Sequence, residues 1–180
     1  MSAVLLRSTG SLSIRAAGDG RTVHGLAVPY GVTAEVSDGY GTYKEEFAPG
    51  AFARSIEQRG SKVKLFTQHE TRRFPIGRAV HLEERPDGLH AAFYVSDTRD
   101  GNEALELIRD GVVDAFSIGF APVRERRRGD VTVRTEAALR EVSLVHTPAY
   151  EGALVAGVRS STPVLTADAA RRRLALLRSK

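Results

Sequence analysis

The chain has 180 residues, of which 42% are hydrophobic and 27% charged, and this composition predicts one soluble globular domain rather than a disordered chain or a solenoid. Its 26 basic and 22 acidic side chains leave a net charge of only +4, which gives no argument for nucleic-acid binding by itself. There is no cysteine, so disulfides, zinc-thiolate sites and thiol catalysis are excluded, and any chemistry must come from serine, histidine and carboxylates.

The first elements are predicted to be short strands. Apolar and polar residues alternate over 23–28, 63–67 and 89–95, which is typical of half-buried strands. Arg85-Pro86-Asp87-Gly88 separates the runs 76–84 and 89–95 and predicts a hairpin turn, because proline presets the turn φ and glycine tolerates a positive φ.

Two short helices are predicted between the strands. The first covers Pro49–Arg59, with proline near its start and Gly60 ending it. The second covers Asn102–Asp110, with Asp100 or Asn102 as the N-cap and Gly111 at its end.

Three further strands are predicted at 115–121, 131–136 and 138–146, with a polar loop over Arg124–Asp130 between the first two. The core is therefore expected to be mostly sheet with a few helices.

The C-terminal end differs from the rest of the chain in amino-acid composition and charge. Residues 1–120 hold 14 basic and 16 acidic side chains, whereas residues 121–180 hold 12 and 6. Ser160–Pro163 resembles a linker, and the segment after it is rich in alanine, leucine and arginine. We therefore predict three parts, which are an N-terminal arm (1–19), a folded domain (20–159) and a basic helical tail (160–180).

Targeting and membrane signals are not recognised in the sequence. The N-terminal 20 residues lack the apolar core of a signal peptide, and no run of about 18 apolar residues occurs. We therefore expect a soluble cytoplasmic protein.

Ser117 is the first candidate for chemistry. Alternation along residues 115–121 places it on a strand face with small residues only, whereas Phe116, Ile118 and Phe120 share the other face. Such a face leaves room for a substrate, although it also suits close packing against another element. A nucleophilic role would require a neighbouring base.

His69 is the best candidate for that base. It follows the strand-like run at 63–66, at the point where the chain becomes polar, and imidazole has an ordinary pKa near 6.5 that suits proton transfer. Its pattern alone equally describes a surface histidine beside a loop.

Glu141 is the candidate third group, which would hold the imidazole in the required tautomer. It lies in a strand-like run, where a buried carboxylate would need a cationic or hydrogen-bonding partner, but alternation alone equally allows it to face solvent. His146 is the competing third member, because no other histidine follows Ser117.

Other binding motifs are weaker. His81, Glu83 and His90 share one face of the predicted hairpin, but a half-solvated hairpin shows such polar residues anyway, so metal binding is disfavoured. No glycine-rich nucleotide motif occurs. The arginine clusters at 124–128 and 171–173 lack interleaved aromatics, which favours solvated charge over nucleic-acid contact.

The order of several segments resembles the tailed-phage prohead proteases, capsid-maturation serine peptidases related in fold to the herpesvirus assemblins. The likeness covers about residues 23–158. The segments that carry it are Gly25–Tyr30, Glu46–Phe52, Gln68-His69 with Pro75–Gly77, Phe116–Phe120, and Leu139–Ser143 with Thr147–Ala149.

The resemblance implies an α+β, mostly β fold, specifically a closed antiparallel β-barrel with a few peripheral helices. It also implies Ser117 as nucleophile, His69 as general base and then acid, and Glu141 as the orienting member. Assemblins use a second histidine in the third role, so His146 stays the alternative. Backbone N–H groups of Thr147–Gly152 are the expected oxyanion donors.

The resemblance further implies a serine endopeptidase that cuts the major capsid protein's scaffolding region, or separate scaffold proteins, and commonly itself. It would act without a cofactor inside the prohead in the host cytoplasm, away from membranes and nucleic acid, and a homodimer is left open. The basic segment after Pro163 would dock it to capsid or scaffold. The alternative is a catalytically silent capsid-assembly protein of the same fold that binds scaffold.

Overall fold

Nine β-strands and two α-helices make up the part of the chain that the computed structural model describes, namely residues 5–15, 20–38 and 41–146, with backbone alone for 5–15. A single 3₁₀ turn, Gly60–Lys62, follows the first helix. The elements in chain order are β1 (Leu5–Arg15), β2 (Thr22–Pro29), β3 (Ala34–Asp38), β4 (Gly41–Phe47), α1 (Ala53–Arg59), β5 (Lys64–Thr67), β6 (Gly77–Arg85), β7 (Gly88–Val95), α2 (Arg99–Arg109), β8 (Ala115–Arg128) and β9 (Val131–Val145).

The strands form one hydrogen-bonded sheet in the order β3-β4-β9-β5-β6-β7-β2-β1-β8, and β8 pairs with β9 as well. The fold is therefore mostly β with two helices, as expected. The sheet is mostly antiparallel, and the exceptions involve β9, which runs parallel to both β4 and β5. Parallel neighbours need a long connection between them, and β6, β7, α2 and β8 supply it between β5 and β9.

The predicted hairpin is confirmed in position and register. Strands β6 and β7 are joined at Pro86-Asp87, and Arg85 pairs with Gly88 and Glu83 with His90. The polar loop predicted at Arg124–Asp130 is wrong for most of its length, because β8 continues to Arg128 and only Gly129 and Asp130 form the turn. The two strands predicted beyond that loop are one continuous strand, β9.

Both helices lie where they were predicted, with different starts. Residues 49–52 form a turn, and α1 begins at Ala53. The N-cap of α2 is Thr98 rather than Asp100 or Asn102, and its side-chain oxygen accepts a hydrogen bond from the Gly101 N–H at 3.2 Å. Among the described residues, no helix is long and apolar enough to cross a membrane.

Only one face of β8 packs into the hydrophobic core. Phe116, Ile118 and Phe120 are fully buried in the hydrophobic core, where Phe120 packs edge-to-face on Phe47 with 5.1 Å between ring centroids. Since side chains alternate along a strand, Ser117 and Gly119 lie on the opposite face. The strand that anchors the core therefore also presents Ser117 away from it.

Candidate active site

The neighbouring strand β9 completes the face that carries Ser117. In the antiparallel register of β8 and β9, Ser117 pairs with Ser143 and Gly119 pairs with Glu141. Residues that pair directly across two strands project from the same side of the sheet. Ser117, Gly119, Glu141 and Ser143 therefore share one small patch.

A register shift in β9 turns Glu141 toward this patch. Gly119 pairs with Glu141, but the next residue of β8, Phe120, pairs with Leu139, so Arg140 is an extra residue in β9. Without that bulge, Leu139 and Glu141 would lie on the same face. With it, Leu139 joins the hydrophobic core and Arg140 points to solvent, while Glu141 stays beside Ser117.

His69 enters the patch from the turn after β5. Strand β5 lies parallel to β9, and the register continues past its end, where the Gln68 N–H donates to the Leu144 carbonyl at 3.0 Å. Gln68 and His69 then adopt left-handed backbone angles, with φ of 49° and 59°. Left-handed conformations cost side-chain-bearing residues of order 1–3 kcal/mol, so surrounding contacts must hold this turn. The turn directs the imidazole back over β8 and β9.

The imidazole bridges Ser117 and Glu141. His69 Nδ1 is 2.6 Å from Oε1 of Glu141, and His69 Nε2 is 2.5 Å from Oγ of Ser117. Because an ionised carboxylate only accepts hydrogen bonds, the proton belongs on Nδ1, which leaves Nε2 as an acceptor for the serine O–H. Ser117 is 1% exposed and the Glu141 side chain 5%, so water competes little with either contact.

Two further residues shape the position of Glu141. Ser143 Oγ donates to the second carboxylate oxygen, Oε2, at 2.8 Å and accepts the His69 backbone N–H at 3.2 Å. A Cβ atom placed on Gly119 would lie 2.6 Å from Glu141 Oε1, so the missing side chain makes room for the carboxylate. Sequence reasoning missed both residues. Gly119 lies two residues after Ser117, and Ser143 lies two residues after Glu141. This spacing places each pair on one face of its strand and could have identified both residues.

The structure does not bring the alternative third member to the imidazole. His146 is exposed, and its Nδ1 accepts a hydrogen bond from the Gln68 side-chain amide at 2.9 Å. The carboxylate of Glu141, by contrast, has His69 as its ion-pair partner among the described residues. The expected oxyanion loop, Thr147–Gly152, lies outside the described residues.

The remaining candidate clusters are separate from this site. On the hairpin, His90 contacts Asp87 at 2.9 Å and His81 contacts Glu83 at 3.3 Å, and no group of three or more potential ligands occurs among the residues that the structure describes. At the tip of the β8–β9 hairpin, Arg124 and Arg128 form ion pairs with Glu136 and Glu46.

An open cavity of about 350 Å³ lies beside the turn that carries His69. Thr67, Gln68 and Leu144 line it on the sheet side, and Ala104 and Leu107 of α2 line it on the other. Its lining combines these residues and Val113 with four charged residues, namely Arg73, Arg99, Asp100 and Glu103.

Comparison with known proteins finds similarity to phage proteases. A family model described as caudovirus prohead serine protease matches residues 10–166. The prohead protease of Enterobacteria phage HK97 is 29% identical over 120 residues, which cover 62% of this chain and 52% of that protein, so the matched part spans about half of the relative's length. The bacteriophage T4 capsid assembly protease has a similar fold, with a TM-score of 0.59 and 11% identity over 81% of this chain and 98% of that one.

The family model covers most of the chain, including all three residues of the Ser117, His69 and Glu141 arrangement. The chain belongs to the caudovirus prohead serine protease family.

Proposed function

We propose that the protein is a serine endopeptidase with Ser117 as nucleophile, His69 as general base and Glu141 as the orienting carboxylate. The observation that carries this proposal is the imidazole that contacts Ser117 Oγ through Nε2 and Glu141 Oε1 through Nδ1, at 2.5 and 2.6 Å. These distances and this order of groups match what a nucleophile, its base and the base's orienting partner require.

The chemistry proceeds in two halves. Ser117 Oγ attacks the scissile carbonyl carbon while His69 Nε2 takes its proton, and the C–N bond then breaks as His69 returns that proton to the departing amine. A water molecule, deprotonated by His69, next attacks the acyl-enzyme ester. The bond to Ser117 Oγ then breaks as His69 returns the proton to that oxygen, which releases the acid and restores Ser117. Glu141 keeps the Nδ1 proton in place and stabilises the imidazolium in both halves. Backbone N–H groups within residues 147–152 are the proposed oxyanion donors.

The substrate we propose is the capsid protein's scaffolding region or a separate scaffold protein, together with the protease's own chain. Family membership and the prohead protease of phage HK97 support this assignment. The reaction would take place inside the prohead, in the host cytoplasm. The basic segment after Pro163 would dock the enzyme to capsid or scaffold during assembly.

We also propose that seven strands close into a barrel. The pairings support this closure because they run from β9 through β5, β6, β7, β2, β1 and β8 and return to β9. In such a barrel, the core residues of β8 and β9 fill the interior, and Ser117, His69 and Glu141 lie on the outer wall.

The test is processing of the phage's capsid protein on co-expression. Ser117→Ala and His69→Ala should each abolish cleavage while the protein still folds, as checked by circular dichroism. His81→Ala, which changes an exposed histidine of the hairpin, is the matched control and should process normally. Cleavage by the Ser117→Ala protein would refute Ser117 as the nucleophile, whereas no cleavage by the wild-type protein would favour a catalytically silent assembly role.

A further inference from the structure

One hydroxyl group touches two members of the proposed catalytic arrangement. Ser143 is fully buried, donates to Glu141 Oε2 at 2.8 Å and accepts the His69 backbone N–H at 3.2 Å. We propose, resting on the proposed function, that Ser143 is a positioning residue of the protease, which fixes the carboxylate and the backbone of the histidine relative to each other.

The Glu141 carboxylate depends on Ser143 for one of its hydrogen bonds. The carboxylate is buried, and its two oxygens accept from His69 Nδ1 and Ser143 Oγ respectively. No arginine or lysine within the described ranges forms an ion pair with it. Without the Ser143 hydroxyl, a buried carboxylate oxygen would lose its donor, and the carboxylate would have to rotate to recover one. That rotation would take Oε1 away from the imidazole.

The turn that carries His69 also depends on Ser143 for one of its hydrogen bonds. Gln68 and His69 both have positive φ, so the turn needs fixed contacts to persist. Strand β9 provides two of them in succession, because the Leu144 carbonyl accepts the Gln68 N–H and the Ser143 hydroxyl accepts the His69 N–H. Only the second of these contacts also holds the carboxylate.

Ser143 itself is not placed to attack a substrate. The imidazole nitrogens contact Ser117 and Glu141 rather than Ser143, so His69, the proposed base, accepts no proton from its hydroxyl. Its hydroxyl proton is directed to Glu141 Oε2. It therefore acts through the other residues and takes no part in bond making.

The experiment compares two buried serines. Ser143→Ala removes the proposed positioning hydroxyl, whereas Ser55→Ala removes a buried hydroxyl that accepts the Leu139 N–H of the same strand at 2.9 Å and contacts no catalytic residue. The readout is the rate at which a fluorophosphonate probe labels Ser117. We expect Ser143→Ala to slow labelling roughly 10- to 100-fold, the effect of losing a hydrogen bond to a charged group, and Ser55→Ala to change it less than about threefold. Equal rates for the two variants would overturn the inference.

A second pair of variants covers the case in which the alanine variant does not fold. Threonine and valine at position 143 have nearly the same shape, but only threonine keeps a hydroxyl. Ser143→Thr should label at least about tenfold faster than Ser143→Val. Equal labelling of the two would contradict the positioning role.

A spectroscopic readout separates this inference from the proposed function. The hydrogen bond between His69 Nδ1 and Glu141 should give a strongly downfield proton resonance, which Ser143→Ala or Ser143→Val should shift upfield or broaden and Ser55→Ala should leave in place. An unchanged resonance would refute the role of Ser143. If wild-type protein shows the resonance but Ser117 is not labelled, the proposed function fails while the role of Ser143 is still decided by the resonance.

Discussion

Gly119 and Ser143 lie on the strands beside Ser117, His69 and Glu141, and neither carries out chemistry. Gly119 leaves space for the Glu141 carboxylate, and Ser143 hydrogen-bonds it. The position of the Glu141 carboxylate thus depends on two small residues, because Gly119 leaves space for it and Ser143 donates a hydrogen bond to it. Each can be tested separately.

The assignment of the third member predicts that Glu141→Gln is far more damaging than His146→Ala. Glutamine keeps the shape of glutamate, but its amide can present an N–H to Nδ1 and favour the wrong tautomer, which costs about 10⁴-fold in kcat in a serine protease triad. His146 is exposed and contacts Gln68, so its loss should change kcat/KM by about twofold at most. Peptide-cleavage kinetics on the two purified variants measure both effects, and a more damaging His146→Ala would reverse the assignment.

Gly119→Ala should reduce activity with little loss of fold. The new Cβ would lie 2.6 Å from Glu141 Oε1, which forces the carboxylate away from His69. We expect a fall in kcat of roughly 10- to 100-fold with KM nearly unchanged. Gly60→Ala is the control, because its nearest neighbour, Ile56 Cγ2, is 3.5 Å away. Wild-type kcat for Gly119→Ala would show that the close approach has no catalytic role.

At the scale of elements, the hairpin of β8 and β9 carries both the core and the site. Its bulge at Arg140 lets Leu139 pack inward while Glu141 faces Ser117. Farther along β9, Arg134 is buried with its guanidinium 2.7 Å from Glu45 of β4 and also bonded to Glu125 and Tyr43. These hydrogen bonds and ion pairs connect β4 to the β8–β9 hairpin.

Arg134→Met should therefore destabilise the protein strongly. It would leave Glu45, which is 0% exposed, as a buried carboxylate without its guanidinium, and breaking such a pair costs about 3–5 kcal/mol. Urea unfolding followed by circular dichroism measures the loss. Lys44→Met, which breaks the solvent-exposed pair with Asp130 between the same elements, should hardly move the midpoint. Equal shifts for the two variants would contradict a structural role for the buried network.

The sequence predicted some elements well and others poorly, for physical reasons. The β6–β7 hairpin has a turn that proline and glycine specify locally, and it was placed correctly in register. The arginines at 124–128 favoured a loop, but pairing with β9 and ion pairs with Glu136 and Glu46 make them a strand. Strands β1 and β4 were not predicted, and each pairs with a strand distant in the chain, β8 and β9 respectively. Strand β3 was also not predicted, although it pairs with the adjacent β4.

For the site, strand alternation placed Ser117 on a face away from the core, and the structure agrees. Alternation could not decide whether Glu141 was buried or solvated. The choice depends on the bulge at Arg140 and on the turn that brings His69 from β5, and both are tertiary features. The family resemblance supplied the grouping of the three residues that periodicity could not supply.

For the whole molecule, the described residues form the sheet and the site, whereas one run of three arginines, Arg171–Arg173, lies outside them. A docking role for this segment separates targeting from catalysis.

Reversing the charge of Arg171, Arg172 and Arg173 to glutamate should lower incorporation of the protease into proheads several-fold, because electrostatic attraction to an acidic capsid or scaffold surface would become repulsion. Quantitative mass spectrometry of purified proheads carrying the Ser117→Ala background measures the incorporation. Normal incorporation of the reversed variant would refute the docking role.

The proposed function requires that His69 activates Ser117 as a nucleophile. Mass spectrometry of the full chain after treatment with a fluorophosphonate tests it most directly. We predict a single adduct on the peptide that contains Ser117, which is absent from Ser117→Ala and greatly reduced in His69→Ala. An unmodified Ser117 in the wild-type protein, or equal labelling after His69→Ala, would contradict the claim.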